Sequence, residues 1–394
     1  MEHSFTLPSL RSPGFPIIVH SHLGWDWVWQ RPQQFLSRLS KNHRVLFIEP
    51  PIADPELSSS AIKLQPAPDY PNVVLLQMRM PAADLADLHW LDGERRRLVQ
   101  SVLAGPLGKA FEGPVQWFYD PMAVTAFAGA LEERANVYDC MDELSLFRGA
   151  PPELVRRERE LLGLADVVFA GGPKIWEAKR LLNSNCFCFG CGVEQGHFGQ
   201  ARSPELPLPE DVAHLPRPIF GYFGVVDERI DYDLLGKLAD ATSGSVVMVG
   251  PWTKVDPQTF PQRPNLQWLG GRPYAELPAY AKSFDVCLMP FAINEATKFI
   301  NPTKALEYMA TGRPIVSTPV QDVVRQYSDI AAIAHRREEF IEACRETAAQ
   351  PDMDRIQRGL ALAERSSWEA TVCEIENHIT EALAASSDLT RSAA

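Results

Sequence analysis

The sequence has no run approaching the roughly 18 apolar residues that would span a bilayer, so no membrane-crossing helix is expected. Its opening, MEHSFTLPSLRSPGF, carries Glu2 and two prolines but no continuous apolar stretch, which argues against a secretory signal peptide. Cysteine is sparse: seven in 394 residues, an odd number without the dense pairing of a secreted disulfide scaffold. A reducing, cytoplasmic setting is expected. Positive charge is in the minority, with 38 Lys and Arg against 50 Asp and Glu for a net charge of -12. A nucleic-acid backbone would be repelled by that field, so no nucleic-acid partner is expected. No internal repeat and no low-complexity segment is present.

What remains is a soluble globular composition, 45% hydrophobic and 22% charged, in a chain long enough for two cores. After a first stretch, residues 1–15, that reads as disordered, short apolar runs recur: PIIVH, RVLFIE, NVVLLQM, PVQWFY, NVYDC, ADVVFA and CFCF. Each is followed by a turn signal and most by a helical pattern, which argues for parallel strands joined by crossover helices. Residues 201–218 hold five prolines with little periodicity and read as a linker. A second series then begins with IFGYFG, SVVMVG, NLQWL, DVCLMPF, PIVST and IAAIA. The expected organisation is an N-terminal α/β domain over 1–200, the linker, and a second α/β domain over 219–365. A final amphipathic helix within 366–394, with a frayed tail, is expected to cross back to the first domain.

The most explicit local signal is NPTKALEYMATGRPIVST, residues 301–318. Asn301 suits an N-cap and Pro302 the first helical position, while Gly312 and Pro314 close the helix. Its first turn presents backbone amides beside Lys304, a combination that suits phosphate oxygens. One turn later Glu307 is placed to accept hydrogen bonds from a vicinal diol such as a ribose. The competing reading is a plain amphipathic surface helix with a weak Lys304/Glu307 ion pair.

The pattern Asn-Pro-x-Lys-x-x-Glu-Tyr-x-Ala-x-Gly-x-Pro-Ile-Val resembles the nucleotide-sugar site of GT-B glycosyltransferases of the broad group 1, family-4-like set used in bacterial surface polysaccharide assembly. The likeness continues through GYFGVVDERIDYDLL, GPWTKVDP, LGGRPYAELPAYAKSFDVCLMPF, YDCMDELSLFRGAP and ADVVFAGGPKIWEAKR. It implies two Rossmann-like, doubly wound domains facing a central cleft. It also implies a nucleotide sugar, with UDP as the leading nucleotide, as substrate rather than a bound cofactor, and no metal.

Carried over position by position, the resemblance puts Lys304 on the donor diphosphate, Glu307 on the ribose and Gly224 at the turn beside the diphosphate. Asn301, Thr303 and Tyr308 come with the same motif as donor-side residues. Two departures stand out. Val225 and Ile230 occupy the places where many relatives carry Arg and Lys, leaving Arg229 as the stand-in, and Phe299 falls where a Glu-x7-Glu pair would have its first carboxylate. Thr297 is then a candidate to reach the donor sugar, and Arg272 lies in the turn expected to flank the nucleobase.

For the base that takes a proton from an acceptor hydroxyl, the cluster Asp139, Asp142 and Glu143 lies at a strand's carboxyl end. Asp142 is the choice, and its position resembles the catalytic aspartate of an inverting bacterial glucuronosyltransferase. A helix cap is the ordinary alternative, and Asp120, Asp26 and His22 are others. The tryptophan-rich HSHLGWDWVWQR follows the first strand and is expected to wall the acceptor side: Trp25 and Asp26 face the cleft, His22 lies nearby, and Arg31 grips an anionic acceptor. Cys186, Cys188 and Cys191 lack paired half-sites, so a zinc site is not expected. A glycan or lipid-linked acceptor is expected. ERRRL and RRERE, at 94–98 and 156–160, offer peripheral contact with anionic lipid at the inner face of the plasma membrane. A GT-B sugar-nucleotide 2-epimerase and a non-catalytic sugar-nucleotide-binding scaffold are the other functional readings.

Overall fold

The structure, a computed structural model, describes residues 14–105 and 107–393, with side chains to residue 385. The disorder expected of residues 1–15 falls almost wholly outside the described residues. Short Val-, Ile- and Phe-rich runs with no polar face can only bury both sides, and they form strands covered on both faces by helices. In the first sheet these are β1 (Ile17–His20), β2 (Val45–Ile48), β3 (Ile52–Asp54), β4 (Ala61–Ala67), β5 (Tyr70–Pro81), β6 (Val115–Phe118), β7 (Ala135–Cys140), β8 (Val167–Ala170) and β9 (Cys186–Cys188). Their order is β3-β5-β2-β1-β6-β7-β8-β9, all parallel, with β4 added antiparallel to β5.

The second sheet holds β10 (Ile219–Phe223), β11 (Ser245–Val249), β12 (Leu266–Trp268), β13 (Val286–Met289), β14 (Ile315–Ser317) and β15 (Ala332–Ile333). It is parallel throughout in the order β12-β11-β10-β13-β14-β15. Both sheets reverse direction beside their first strand, between β1 and β6 and between β10 and β13, where doubly wound sheets open a crevice for ligands. The expected α/β class and doubly wound topology are therefore observed. β3 and β4 had no apolar run to announce them: they are edge strands, and Ile52 and Ile62 stand exposed.

The chain crosses between the sheets twice, and the two crossings touch. Val193 N–H donates to Ser366 C=O at 2.8 Å, and Val193 forms an isolated parallel bridge with Ser367. From there the helix Trp368–Ala393 returns to the first sheet. Trp368, Val372, Ile375 and Ile379 are buried in one cluster with Val19, Phe35, Trp117 and Phe169. The helical backbone continues to Ala393.

Arg31 opens the first helix, Arg31–Leu39, and is buried. Its Nε lies 2.9 Å from Asp139 Oδ1 and its second terminal nitrogen 2.9 Å from the same oxygen, while Nη1 donates to Phe189 C=O at 2.7 Å. The guanidinium also lies over the Phe35 ring, 4.4 Å from its centroid. One side chain thus joins the loop after β1, the end of β7 and the chain leaving β9. The Arg31 guanidinium is largely engaged by Asp139 and backbone carbonyls, with Nη2 left without a hydrogen-bond partner in a residue that borders the cleft.

Removing one partner of a fully buried pair leaves the other charge desolvated. Arg31→Met is expected to cost roughly 3–5 kcal/mol of stability in urea unfolding, and Arg31→Met combined with Asp139→Asn to recover part of that loss.

Candidate functional site

The helix Lys304–Thr311 begins at an N-cap formed by Thr303 and ends on Gly312 in the left-handed conformation, φ +69°. Its first residue lies three past Asn301, so Asn301 is no N-cap. Its side chain instead donates to Gly171 C=O across the cleft at 3.2 Å. Thr303 Oγ1 donates to Cys191 Sγ at 3.1 Å. The chain leaving β10 turns at Gly224, where φ is +144° and a Cβ would stand 2.6 Å from both Lys304 Cε and the Tyr222 hydroxyl. Only glycine leaves room there for the lysine to lie against the strand end.

Glu307 is buried, with Oε2 3.7 Å from Lys304 Nζ and without a hydrogen-bond partner. Burial raises its carboxyl pKa, and the Lys304 ammonium opposes the rise. An under-satisfied buried carboxylate is poised for hydroxyl donors from a ligand. Tyr308 faces the other way: it is fully buried, and its hydroxyl accepts from Phe223 N–H at 3.1 Å. It holds the end of β10 and does not line the cleft, which corrects its placement on the donor.

Lys304, Glu307 and Gly224 line a cavity of about 840 Å³ between the two sheets. Its far wall is aromatic, with Trp29 stacked on Tyr70 (centroids 5.6 Å) and Tyr274 stacked on His197 (4.5 Å). The Tyr274 hydroxyl donates to Glu194 at 2.7 Å. The backbone of Gly271 and Pro273 reaches the same cavity. Arg272 borders it too, but its guanidinium is held by Asp211 at 2.8 Å and the Tyr280 hydroxyl at 2.7 Å.

A narrower space of about 120 Å³ shares Lys304 and Glu307 with that cavity, and a further one of about 740 Å³ continues it on the other side. Asp142 lines both of these, as do Gln30, Val225 and Arg229. The three carboxylates at the end of β7 now separate. Asp139 is paired with Arg31, and Glu143 with Lys179 at 2.6 Å. Asp142 makes no side-chain hydrogen bond or ion pair among the described residues. The short helix after it, Leu144–Leu146, is capped by Glu143 and takes no side-chain cap, so Asp142 is not spent on capping. Burial pushes its pKa up to about 6, with Asp227 adding to the rise and Arg229 and Lys254 opposing it.

Other assignments move. Trp25 is 3% exposed and packs edge-on against Phe47 and Trp29, while its backbone N–H donates to Glu49 at 2.8 Å. It is mostly packed in the core while its edge borders the 840 Å³ cavity, because period-two spacing turns alternate indoles fully to one side only in an extended loop, and this loop bends. Asp26 is exposed and lines the 840 Å³ cavity with Trp25, not the space beyond Asp142. Trp27, 47% exposed, lines both large spaces and is the most exposed of the three indoles at the cleft. His22 lines the space beyond Asp142, with burial holding its pKa low.

Arg229 is bidentate on Asp227, at 3.0 and 2.8 Å, so the stand-in diphosphate ligand already has its counter-charge. Thr297 Oγ1 donates to Ala292 C=O at 2.5 Å in a capping box and borders a separate surface dip, away from Lys304. That removes it from the donor sugar. Asp120 caps the turn at Pro121–Ala123 and lies 3.6 Å from Arg95. The basic runs are largely engaged by this chain's own groups: Arg95 and Arg157 are buried, Arg157 against Asp92 at 2.7 Å, and Arg97 pairs with Glu94. Lys254 and Phe147, both bordering the 740 Å³ space, were not singled out from sequence. Lys254 sits in a turn at φ +62°, which no apolar periodicity announces.

Residues 232–350 match the family model of glycosyl transferases group 1. Over 104 residues the chain is 26% identical to TuaH of Bacillus subtilis (strain 168), a protein named as a teichuronic acid biosynthesis glycosyltransferase. That match spans 25% of this chain and 26% of the relative. The fold is similar to sucrose-phosphate synthase from Thermosynechococcus elongatus, with a TM-score of 0.68 at 15% identity, over 94% of this chain and 100% of that one. It is also similar to an α,α-trehalose-phosphate synthase (UDP-forming) from Burkholderia xenovorans in complex with glucose-6-phosphate, with a TM-score of 0.68 at 12% identity, over 93% and 100% of the chains. Residues 232–350 thus match a group 1 glycosyltransferase domain, within a chain of GT-B fold.

The division between core and cleft indoles is testable. Trp25→Ala is expected to cost roughly 3–5 kcal/mol in chemical unfolding, as emptied core aromatics do, whereas Trp27→Ala is expected to leave the unfolding midpoint unchanged.

Proposed function

Starting from a group 1 glycosyltransferase domain set in a GT-B fold, we propose that the protein transfers a sugar from a nucleoside diphosphate donor, UDP-linked in the leading case, to a hydroxyl of a glycan or lipid-linked acceptor in cell-surface polysaccharide synthesis. One observation carries the reading. Asp142 is the unpartnered carboxylate at the boundary between the space bordered by Lys304 and Glu307 and the space on its far side.

In this reading the nucleotide lies in the 840 Å³ cavity. Glu307 accepts hydrogen bonds from the ribose, and the aromatic wall and the Gly271–Pro273 backbone flank the base. The Lys304 ammonium and the positive end of its helix meet the charge that develops on the departing diphosphate, with no resident metal needed for that task. Asp142 accepts the proton of the acceptor hydroxyl as its oxygen forms a bond to the anomeric carbon and the bond to the diphosphate breaks. A base on the face opposite the leaving group goes with single displacement and inversion. An unspent, partly desolvated carboxylate between two spaces also speaks for an enzyme over a scaffold, and a wide second space speaks for transfer over epimerisation.

The pH dependence follows from the sign of the shift. Asp142 works deprotonated, so kcat/KM for acceptor is expected to rise through pH 6 and level off above it. Asp142→Asn is expected to lower turnover by roughly 10²–10⁴-fold with UDP affinity unchanged. Since the folded pKa lies above the unfolded one, the charged form opposes folding at pH above both. Asp142→Asn is thus expected to raise the unfolding midpoint at pH 8 more than at pH 4. A variant that binds UDP and keeps full turnover would remove Asp142 from the base role.

Lys304→Ala is expected to weaken UDP binding roughly ten- to hundredfold in calorimetry, the loss of one charge-assisted contact. Release of nucleoside diphosphate from a panel of nucleotide sugars, with and without membrane extract, tests the transferase reading as a whole, and proton NMR of the product reads the anomeric outcome.

A further inference from the structure

The 740 Å³ space beyond Asp142 is walled by four carboxylates, Glu49, Asp120, Asp142 and Asp227, and three cations, Arg148, Arg229 and Lys254, so what distinguishes its charges is which of them lack a partner. Asp227 is satisfied by Arg229, Asp120 holds Met122 N–H and faces Arg95, and Glu49 holds Trp25 N–H. Asp142 is taken by the proton transfer proposed above. Of the three cations Arg229 is the one already paired, which leaves Lys254 and Arg148. Neither side chain has an ion pair or a hydrogen bond among the described residues; Arg148 uses only its backbone N–H, on Glu228 at 3.0 Å.

Lys254 is held in place rather than loose. Its backbone occupies the left-handed region at φ +62°, a conformation that costs a non-glycine residue energy. The turn is fixed by the Trp252 indole N–H, which donates to Val255 C=O at 2.6 Å. The result aims Nζ from the second domain across the cleft onto the Phe147 ring of the first, 4.8 Å from its centroid. Arg229 approaches the same ring at 5.6 Å. Around these cations the walls are apolar, with Met122, Leu144, Leu154 and Ile52 among them.

We propose that this space selects an acceptor with an anionic group next to an apolar body, and that Lys254, lent by the donor domain, is the residue that reads the anion, with Arg148 beside it. The inference rests on the transferase reading above, since it identifies that reading's acceptor class. Phosphate and carboxylate share the required chemistry. A ligand anion would replace the Phe147 face as the partner of Lys254, a stronger contact than a partly solvated cation–π pair. The acceptor anion would then bind both domains at once.

Three amphiphiles of equal tail length separate the possibilities when titrated calorimetrically into the UDP-saturated full chain below their micelle concentrations: octyl phosphate, octyl β-glucuronide and octyl β-glucoside. At least one anionic probe is expected to bind roughly tenfold or more tightly than the neutral glucoside, the scale of one charge-assisted contact. The tighter of the two anions names the group. Lys254→Gln is expected to erase that preference while leaving the glucoside affinity unchanged, which also reports that the variant is folded, and Lys254→Arg to keep it. Equal binding of all three probes, or a preference that survives Lys254→Gln combined with Arg148→Gln, would overturn the proposal. UDP affinity is measured separately on the same protein. Its absence would overturn the transferase reading, while the anion preference would still be decided by the three titrations.

Discussion

The buried pair of Arg31 and Asp139 is the contact on which the rest of the cleft depends. It fixes the strand ends where the first sheet reverses, and it decides which carboxylate remains free. β7 delivers Asp139, and the turn after it Asp142 and Glu143, within five residues. Three such groups close together would repel one another and share protons in no defined way. Arg31 neutralises the first and Lys179 the last, which also lies 2.7 Å from Glu158. Asp142 is left alone, desolvated and facing two spaces. Burying the two cations costs desolvation that their close carboxylate contacts offset, while Arg31 Nη2 keeps no hydrogen bond of its own.

The cleft is then partitioned by charge. On the second domain's side, Lys304 and a helix start provide positive potential beside a carboxylate that lacks a hydrogen bond on one oxygen. On the far side, the unpaired cations Lys254 and Arg148 share an apolar hollow with four carboxylates. Little of the surface basicity contributes, because Arg95, Arg97 and Arg157 are already matched by carboxylates of their own chain.

Much of this was legible in the sequence, and the reasons for success and failure are physical. Runs such as IIVH, VLFI and VCLM bury both faces and so announce parallel strands without ambiguity, whereas AIKLQPA in β4 is an exposed edge with no such pattern. The helix at Lys304 could be read from its composition, but Asn301 misled: the capping rule describes local preference, and its amide is instead used across the cleft on Gly171. The packing of Arg31 and Trp25 could not be read because sequence distance hides their partners, Asp139 lying 108 residues away and Tyr70 45. Asp142 could be selected only as one of three, since what distinguishes it is that its neighbours are occupied. Lys254 left no trace, because a left-handed turn in WTKV is not encoded by any glycine or asparagine.

The two crossings between the sheets are hydrogen-bonded to each other at Val193 and Ser366, and a Cβ at the adjoining Gly192 would collide with Trp368. A pair of covalent tethers fastened side by side behaves as a pivot. Tethers joined at one place leave the rest of the gap to be spanned by side chains alone, and the Tyr274 hydroxyl on Glu194 and the Lys254 ammonium over Phe147 are two that do so.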